Sequence, residues 1–192
     1  VRLVLIHGSR LQIDQRLSRA GLDSVFHEGL RITDNAAMEH VKDAAGSLRA
    51  QIEALLSMGL PHSPMQGSRM RVCSGNFVTA RPIGVVNGID FHHTGRVRRV
   101  DASGINQQLA DGSIVLLSPL GYSPTGEIFN LALEDIAVQC AAAIGADKLV
   151  LFGGPAGVLS DDGRLIRQCA AGEIDELPVA DPQQASLLQS AK

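Results

Sequence analysis

The sequence lacks the features that mark exported, metal-binding and membrane proteins. Its only three cysteines, Cys73, Cys140 and Cys169, are odd in number and far apart, with neither metal-ligand spacing nor a secretory signal beside them. No apolar run approaches the roughly 18 residues that predict a membrane helix. A reducing cytoplasm therefore fits best, and we expect no membrane association.

A basic excess is also missing. The 17 lysines and arginines are outnumbered by 20 aspartates and glutamates, which gives a formal net charge of -3 at pH 7. A nucleic-acid-binding face normally shows as a positive charge on the whole domain. The composition thus argues against nucleic acid as a partner, and the arginines of the segment 75–101 need a local explanation.

What the chain does contain is enough apolar sequence for one core. Of its 192 residues, 45% are hydrophobic and 19% are charged, which predicts one compact domain over residues 1–192. The opening VRLVLIHG is an apolar run typical of a strand buried on both faces, and no methionine precedes it. We expect the chain to be a fragment of a longer protein.

Apolar periodicity predicts buried strands that alternate with helices. SIVLLSP and DKLVLFGG repeat the apolar run of the opening strand, and VFHEGLRITD between the first two helices is expected to be a loop. Such alternation predicts a three-layer α/β/α sandwich with a mostly parallel central sheet. The predicted helices span residues 11–21, Asp34 to about Gly59, residues 103–111 entered at Ser103, residues 130–145, and a terminal segment opened by Asp181 and Pro182.

The segment 75–101 reads as β-hairpin sequence. Asn87 and Gly88 form the pair that tolerates the positive φ angles of a type I′ turn. Arg96, Arg98 and Arg99 follow on an exposed ribbon, where we expect them to face water and not a ligand.

Ligands of open α/β sheets bind beyond the carboxyl ends of the strands, which directs attention to the loops there. After the first strand, HGSR has one glycine where phosphate loops use several, and the side chains of Ser9 and Arg10 obstruct close backbone approach. His7 is expected to be a core histidine and not a general base. SPLGYSPTGEIFN is either a ligand loop or a structural strand-to-helix connection that enters a helix at Asn130.

The remaining polar residues form no catalytic constellation. His92 and His93 would project to opposite faces if they lie in a strand, and Glu134 and Asp135 diverge by about 100° on a helix. We find no nucleophile–base pair, zinc spacing or Walker loop, so no catalytic or metal-binding residue is predicted. From residue chemistry alone, the chain is an α/β domain with a site for an anionic small molecule.

The ordered segments HGSRLQI, FHEGLRITD, SGNFVTARPIGV, DFHHTGRVRRVD, LSPLGYSPTGEIFNLALEDIA and ADKLVLF resemble the amino-acid-kinase-like domain of bacterial N-acetylglutamate synthase. SGNFVTARP followed by D-F-x-x-T-G-x-V-R is specific to the synthase branch. The resemblance implies an amino-acid kinase or carbamate kinase-like fold with β-hairpins. It also implies a domain that is incomplete at both ends, without its N-terminal strand and the C-terminal acetyltransferase domain of the GNAT type.

The function implied by this resemblance belongs to a larger enzyme. The family's synthases transfer acetyl from acetyl-CoA to L-glutamate in the first step of L-arginine biosynthesis. The kinase-like domain is implied to bind L-arginine as a feedback inhibitor and to drive homo-oligomerisation. No cofactor is implied for this fragment itself.

Departures from the related N-acetylglutamate kinase argue against the alternative of an active kinase. Where the kinase has the glycines of H-G-G-G, this chain has Ser9 and Arg10. Ala132 and Glu134 replace the second asparagine and the aspartate of the kinase motif N-x-N-x-D. Gly153 and Gly154 replace the kinase's Thr-Asp. Phosphoryl transfer needs all of these groups together. A third possibility is an assembly module whose pocket binds nothing.

Five positions remain as candidate ligand-binding residues. Arg31 matches an arginine that holds the acyl-amino-acid carboxylate in the kinase, and the alternative for it is a loop salt bridge. The full candidate set is Gly8, Ser9, Arg10, Arg31 and Asn130.

Overall fold

A computed structural model describes residues 2–58, 70–152, 160 and 164–166. The chain divides into two units, Val1–Gly145 and Ala146–Lys192. The helices of the first unit are α1 (Arg10–Arg19), α2 (Asn35–Ser57), α3 (Ala102–Ala110) and α4 (Leu133–Ile144). Its strands are β1 (Val4–Ile6), β2 (Phe26–His27), β3 (Leu30–Arg31), β4 (Val72–Ser74), β5 (Val78–Pro82), β6 (Val85–Val86), β7 (Ile89–Asp90), β8 (Gly95–Val100), β9 (Ile114–Leu117), β10 (Leu120–Tyr122) and β11 (Ile128–Asn130).

A parallel three-stranded sheet in the order β1-β9-β4 forms one part of the central layer. Val115 of β9 pairs with Val4 on one side and with Cys73 on the other. The side chains of Val115, Leu116 and Leu117 are almost fully buried, as expected for a central parallel strand. The predicted parallel pairing of the VRLVLI and SIVLL strands is confirmed.

Strand β1 is less buried than its sequence predicts. Its three residues are half-buried, and Leu3 just before it is 43% exposed. Among the described strands, β1 pairs with β9 alone and therefore lies at the edge of the described sheet. An apolar run indicates a buried strand but does not distinguish the centre of a sheet from its edge.

The second sheet is mixed, in the order β11-β10-β5-β8. Strands β10 and β5 are parallel, whereas β10–β11 and β5–β8 are antiparallel. The β10–β11 hairpin corrects the expectation of a strand-to-helix connection over SPLGYSPTGEIFN: Asn130 ends a strand, and α4 begins at Leu133. The Ser123 N–H bonds to the Glu127 carbonyl at 2.9 Å, and Gly126 between them has a φ of 88°.

Two further hairpins lie outside these sheets. Val86 pairs with Ile89 across Asn87 and Gly88, whose φ angles of 52° and 79° confirm the predicted positive-φ turn. The stretch VFHEGLRITD, expected to be a loop, contains the β2–β3 hairpin, which pairs Phe26 with Arg31. Strands of two residues are too short to show an alternating pattern, so the sequence carries no signal for them.

The limits of α2 and the end of α4 are close to those predicted, because capping residues mark them. The Asp34 carboxylate accepts a hydrogen bond from the Ala37 N–H at 2.8 Å at the start of α2. Helix α4 ends at Gly145 in the left-handed conformation. Helix α3 corrects one limit: it starts at Ala102 and not at Ser103, because Asp101 is its N-cap and accepts from the Gly104 N–H.

The helices cover the two faces of the sheets. Adjacent residues of a strand point to opposite faces, and on β11 Ile128 packs with α1 and α2 while Phe129 packs in the other core. The first core contains Ile13, Leu17, Ala37, Met38, Val41 and Ala44. The second contains Val78, Ala80, Ile105, Leu109, Val115, Leu117, Phe129, Leu131, Ile136 and Cys140. The predicted three-layer α/β/α architecture is therefore confirmed.

In the second unit, the prediction of a third buried strand in DKLVLFGG is wrong for its described residues. Residues 148–152 form no strand, and Leu149, Val150, Leu151 and Phe152 are exposed, the last at 94%. A strand requires a neighbour that satisfies its backbone N–H and C=O groups, and apolar sequence alone does not supply one. Gly153, Gly154, the predicted Asp-Gly turn and the predicted terminal helix at Asp181 lie outside the described residues.

Candidate functional site

A cavity of about 180 Å³ lies where β1 leads into α1. Its walls also come from the β2–β3 hairpin, the end of β11 and the first turn of α4. All five candidate residues from the sequence line it: Gly8, Ser9, Arg10, Arg31 and Asn130. Ala132 and Glu134, which replace kinase residues, line it as well.

Ser9 lies at the start of α1 and is only 2% exposed, yet its hydroxyl has no hydrogen-bond partner within the part of the chain that the structure describes. It is the N-cap residue of α1 but makes no side-chain cap bond. The first N–H groups of a helix also lack partners within that helix. The wall of the cavity formed by residues 8–10 is therefore rich in unused hydrogen-bond donors.

Arg31 at the end of β3 is 6% exposed and forms the salt bridge that the sequence left as one of two alternatives. Its Nη2 donates to Asp14 Oδ1 at 2.7 Å, and its Nη1 donates to Ser24 Oγ at 2.8 Å. A guanidinium has five N–H donors. The bonds to Asp14 and Ser24 therefore use two of the five donors of Arg31.

Asp14 is the carboxylate that balances Arg31. Burial alone would raise the pKa of Asp14, but hydrogen bonds from Ser24 and Arg31 outweigh it. The positive charges of Arg31 and Arg10 act in the same direction, so the pKa of Asp14 lies below its ordinary value. Asp14 is thus ionised at neutral pH and bound to Arg31.

Phe26 brings two guanidinium groups together. The Cζ atom of Arg10 lies 4.4 Å from the centroid of the Phe26 ring, and that of Arg31 lies 4.5 Å from it. Both distances are within the range of cation–π attraction. The sequence offered no sign of this role for Phe26, because it depends on the β2–β3 hairpin.

A buried hydrogen-bond network positions Asn130. Its Nδ2 donates to Thr33 Oγ1 at 3.0 Å, and Thr33 Oγ1 is bonded to Thr94 Oγ1 at 2.9 Å. The Thr94 hydroxyl in turn donates to the Arg31 carbonyl oxygen. This Thr33–Thr94–Asn130 network joins three distant segments beneath the cavity.

His7 is buried, as expected, and is part of a pair that the sequence did not reveal. Its Nε2 lies 2.9 Å from Ser118 Oγ, because β1 and β9 are neighbouring parallel strands and both residues directly follow them. Burial lowers the pKa of His7, the nearby Gly8 backbone opposes this effect, and the charge of Arg49 adds to it. Nδ1 has no partner among the described residues, so the pair lacks the third group that orients the base in catalytic triads.

The arginines of β8 face water as predicted, whereas His92 and His93 lie outside the described strands. Arg96, Arg98 and Arg99 are exposed on β8. His92 contacts Asp90 at 3.5 Å, whereas His93 bonds to Asn35 at 2.6 Å, so the two histidines do not converge. In the described residues, no group of three or more His, Cys, Asp or Glu side chains is placed to hold a metal ion. None of the described helices is long and apolar enough to cross a membrane.

The fold agrees with comparisons to known proteins. The model of the amino acid kinase family matches residues 1–189, and the chain belongs to that family. An amino-acid acetyltransferase of Pseudomonas fluorescens (strain SBW25) is 65% identical over 168 residues, which make up 88% of this chain and 39% of that protein. The chain therefore spans about two-fifths of the length of the curated relatives it matches.

Solved structures of one enzyme are also similar to this chain. N-acetylglutamate synthase from Neisseria gonorrhoeae, complexed with coenzyme A and L-arginine, matches 100% of this chain with a TM-score of 0.92 at 35% identity, and 45% of that chain is covered. The same enzyme complexed with coenzyme A and N-acetyl-glutamate gives a TM-score of 0.89. The resemblance to the kinase-like part of N-acetylglutamate synthase is confirmed.

Proposed function

We propose that this chain is the kinase-like regulatory part of an N-acetylglutamate synthase and does not itself catalyse a reaction. The whole protein would transfer acetyl from acetyl-CoA to L-glutamate in the first step of L-arginine biosynthesis, in the cytoplasm. The identity to amino-acid acetyltransferases over 88% of the chain supports this proposal. Acetyl transfer is assigned to a C-terminal GNAT domain of the whole protein.

The observation that carries the non-catalytic part is the loop between β1 and α1. The Ser9 side chain is buried there, and the Arg10 guanidinium stacks on Phe26. Glycines at these positions would let backbone N–H groups approach a phosphate closely. Ala132 and Glu134 occupy two more positions where the kinase has groups for phosphoryl transfer, which requires all of them at once.

The proposed partners are those of a regulatory domain. The solved synthase was crystallised with L-arginine, which supports L-arginine as the allosteric ligand of the whole protein. We also propose that the whole protein forms homo-oligomers through this domain. The cavity residues Gly8, Ser9, Arg10, Arg31 and Asn130 are proposed to bind a ligand and not to take part in chemistry.

Phosphoryl transfer is tested on the 192-residue chain. We expect titration calorimetry with ATP and magnesium to show no binding, and a coupled assay with N-acetylglutamate to show no turnover above the blank. An authentic N-acetylglutamate kinase in the same assay is the positive control. Enzyme-like turnover by the chain would overturn the proposal.

Regulation and acetyl transfer are tested on the whole protein. We expect thiol release from acetyl-CoA in the presence of L-glutamate, and we expect L-arginine but not D-arginine to change its rate. A whole protein that released no thiol would contradict the proposed activity. A rate that L-arginine left unchanged would contradict the regulatory role.

A further inference from the structure

We infer that the outer face of the β5–β8 ribbon docks an extended acidic segment of a partner protein, bound by Arg81, Arg96, Arg98 and Arg99. We call these four side chains the arginine face. The inference goes beyond the proposed function, because none of the four residues lines the cavity. It supplies the local explanation that the arginines of the segment 75–101 require in a chain with a net charge of -3.

A β-bulge places the arginines of β8 on one face of the ribbon. The register of β8 against β5 shifts between Thr79 and Ala80, so Arg98 is an extra residue. Side chains alternate along a strand, and residues three apart normally point to opposite faces. Because of the extra residue, Val97 and Val100 both pack against the second core. The arginines beside and between these valines are therefore left on the outer face, where they are exposed.

Two of the four arginines oppose each other directly. Arg81 of β5 pairs with Arg96 of β8, and both side chains are exposed. Like charges directly opposite each other on a sheet are destabilising. The pair therefore lowers the stability of the isolated chain, and an anion bound between the two guanidinium groups would remove the repulsion.

No acid in the described part of the chain balances these charges. None of the four arginine side chains makes a hydrogen bond or ion pair there. Asp101, which directly follows β8, accepts from the Gly104 N–H at the start of α3. Asp135 accepts from the Val97 N–H at 2.8 Å and thus binds the backbone of β8. The positive charge of the arginine face is left for a partner to balance.

Protection of a sheet edge does not account for the arginine face. Charged side chains on edge strands discourage aggregation, and β8 lies at the edge of the described sheet. Arg81, however, lies on β5, which has β10 on one side and β8 on the other. The outward Val97 N–H of β8 is already bonded to Asp135 of α4. Edge protection therefore leaves the opposed pair of Arg81 and Arg96 unexplained.

The spacing of the arginines indicates the chemistry of the partner. Arg81 and Arg96 form one cationic position, and Arg98 with Arg99 forms a second, two to three residues further along β8. At about 3.3 Å per residue the two positions are roughly 7–10 Å apart. Acids at alternate positions of an extended segment lie about 7 Å apart on one side. Guanidinium groups bind carboxylates in a fork geometry, so such a segment can engage both positions at once.

Other partners fit the arginine face less well. Nucleic-acid-binding domains normally carry a basic excess, whereas this chain has a net charge of -3. A second copy of the chain that offered the same face would bring like charges together. An acidic polypeptide segment avoids both conflicts.

The test is fluorescence anisotropy of a labelled peptide of alternating glutamate and threonine, titrated with the 192-residue chain at low ionic strength. One comparison peptide has glutamine in place of each glutamate. A second has the same composition with its glutamates in one block, so it changes only the spacing. We expect saturable binding of the alternating peptide, weaker binding of the block peptide and no binding of the glutamine peptide. No saturable binding, or binding of either comparison peptide as tightly as the alternating one, would overturn the inference.

The other occupants are distinguished in the same experiment. A single-stranded DNA oligonucleotide should bind more weakly than the alternating peptide, and tighter binding would assign the face to nucleic acid. Sedimentation of the chain alone checks for a second copy. Self-association that Arg81→Gln/Arg96→Gln abolished would assign the face to contacts between copies and overturn the inference.

The variant Arg81→Gln/Arg96→Gln removes the opposed pair. It should weaken binding of the alternating peptide about tenfold, the combined effect of two exposed ion pairs. It should also raise the urea unfolding midpoint, because the repulsion is gone. A damaged fold cannot produce both changes. Arg16→Gln/Arg19→Gln, which makes the same charge change at the end of α1, should leave the peptide affinity unchanged. Unchanged affinity or a lowered midpoint in the first variant, or an equal loss of affinity in the second, would refute the assignment.

The variant Arg98→Gln/Arg99→Gln tests the second cationic position. It should weaken binding of the alternating peptide and reduce its advantage over the block peptide, because only one position remains. An advantage as large as that in the unaltered chain would show that spacing is not read by these two residues. None of these results bears on the synthase assignment, which is tested by acetyl transfer in the whole protein.

Discussion

The Nε2 atom of His7 lies 2.9 Å from the hydroxyl oxygen of Ser118, although 111 positions separate the two residues in the chain. This bond ties the end of β1 to the end of β9. Because His7 is buried, it is held as neutral imidazole, and its pKa lies below the ordinary value of 6.5.

Stability should therefore fall in mild acid. Below pH 6.5 the unfolded chain binds a proton at His7 before the folded chain does, so the free energy of unfolding decreases as the pH drops from 6.5 towards the lowered pKa of the folded state. Urea unfolding at several pH values measures this decrease. His7→Gln should reduce this slope, and an equal slope in the variant and the unaltered chain would contradict the role of His7.

Gly121→Ala should destabilise the fold by roughly 2 kcal/mol. A Cβ on Gly121 would lie 2.6 Å from Ala80 Cβ and 2.7 Å from Leu131 Cδ1, so the β10–β5 pair would have to separate. Gly46→Ala is the matched control, because Gly46 lies in α2 with nothing within 4 Å of the added atom. Alanine at position 46 should stabilise the fold by about 0.5–1 kcal/mol. Urea unfolding midpoints that moved in the same direction in Gly121→Ala and Gly46→Ala would contradict the predicted crowding at Gly121.

Gly88→Val should destabilise the chain by more than about 1 kcal/mol, since a β-branched residue is strained at positive φ. No atom lies within 4 Å of the added Cβ, so the cost is conformational and not steric crowding. Gly88→Asn should cost much less, because asparagine tolerates this conformation. Equal unfolding midpoints for the valine and asparagine variants would show that the turn is not under this constraint.

Restoring a single kinase residue should not restore phosphoryl transfer. Each of the variants Ser9→Gly, Arg10→Gly and Glu134→Asp restores one residue of the kinase. The effects on catalysis of residues that act as a unit are strongly non-additive. The coupled ATP assay with N-acetylglutamate measures the outcome for each variant. Turnover gained by one substitution would show that the remaining departures do not matter.

Local signals in the sequence account for the helices and the tight turns. Asp34 predicts the start of α2 because its carboxylate can reach the Ala37 N–H, and Asn87–Gly88 predicts its hairpin because few residues accept positive φ. The parallel pairing of β1 with β9 follows from two apolar runs that need cover. The capping and turn signals are read within a few residues of the structure they determine, whereas the pairing of β1 with β9 joins strands more than a hundred positions apart.

The missed features depend on distant partners. The β2–β3 hairpin is too short for periodicity, so the contact of Phe26 with Arg10 and Arg31 could not be seen. The His7–Ser118 pair depends on strand register, which the sequence does not specify. Residues 148–152 have the composition of a strand but not its pairing. The loops with Gly8, Ser9, Arg10 and Asn130 were indicated by their position after strands. Arg31 was predicted from a resemblance to a family, because no local pattern brings Arg31 near Asn130.

The Thr33–Thr94–Asn130 network has a consequence for the order of folding. Its hydrogen bonds span 61 and 97 positions, so the loop-closure entropy of forming them is high until most of the domain is compact. On the ribosome, where chains grow at about 5–20 residues per second, α1 and α2 are complete many seconds before Asn130 is added. The loop with Ser9 and Arg10 is therefore synthesised early, but the cavity wall that contains Asn130 forms only when β11 pairs with β10.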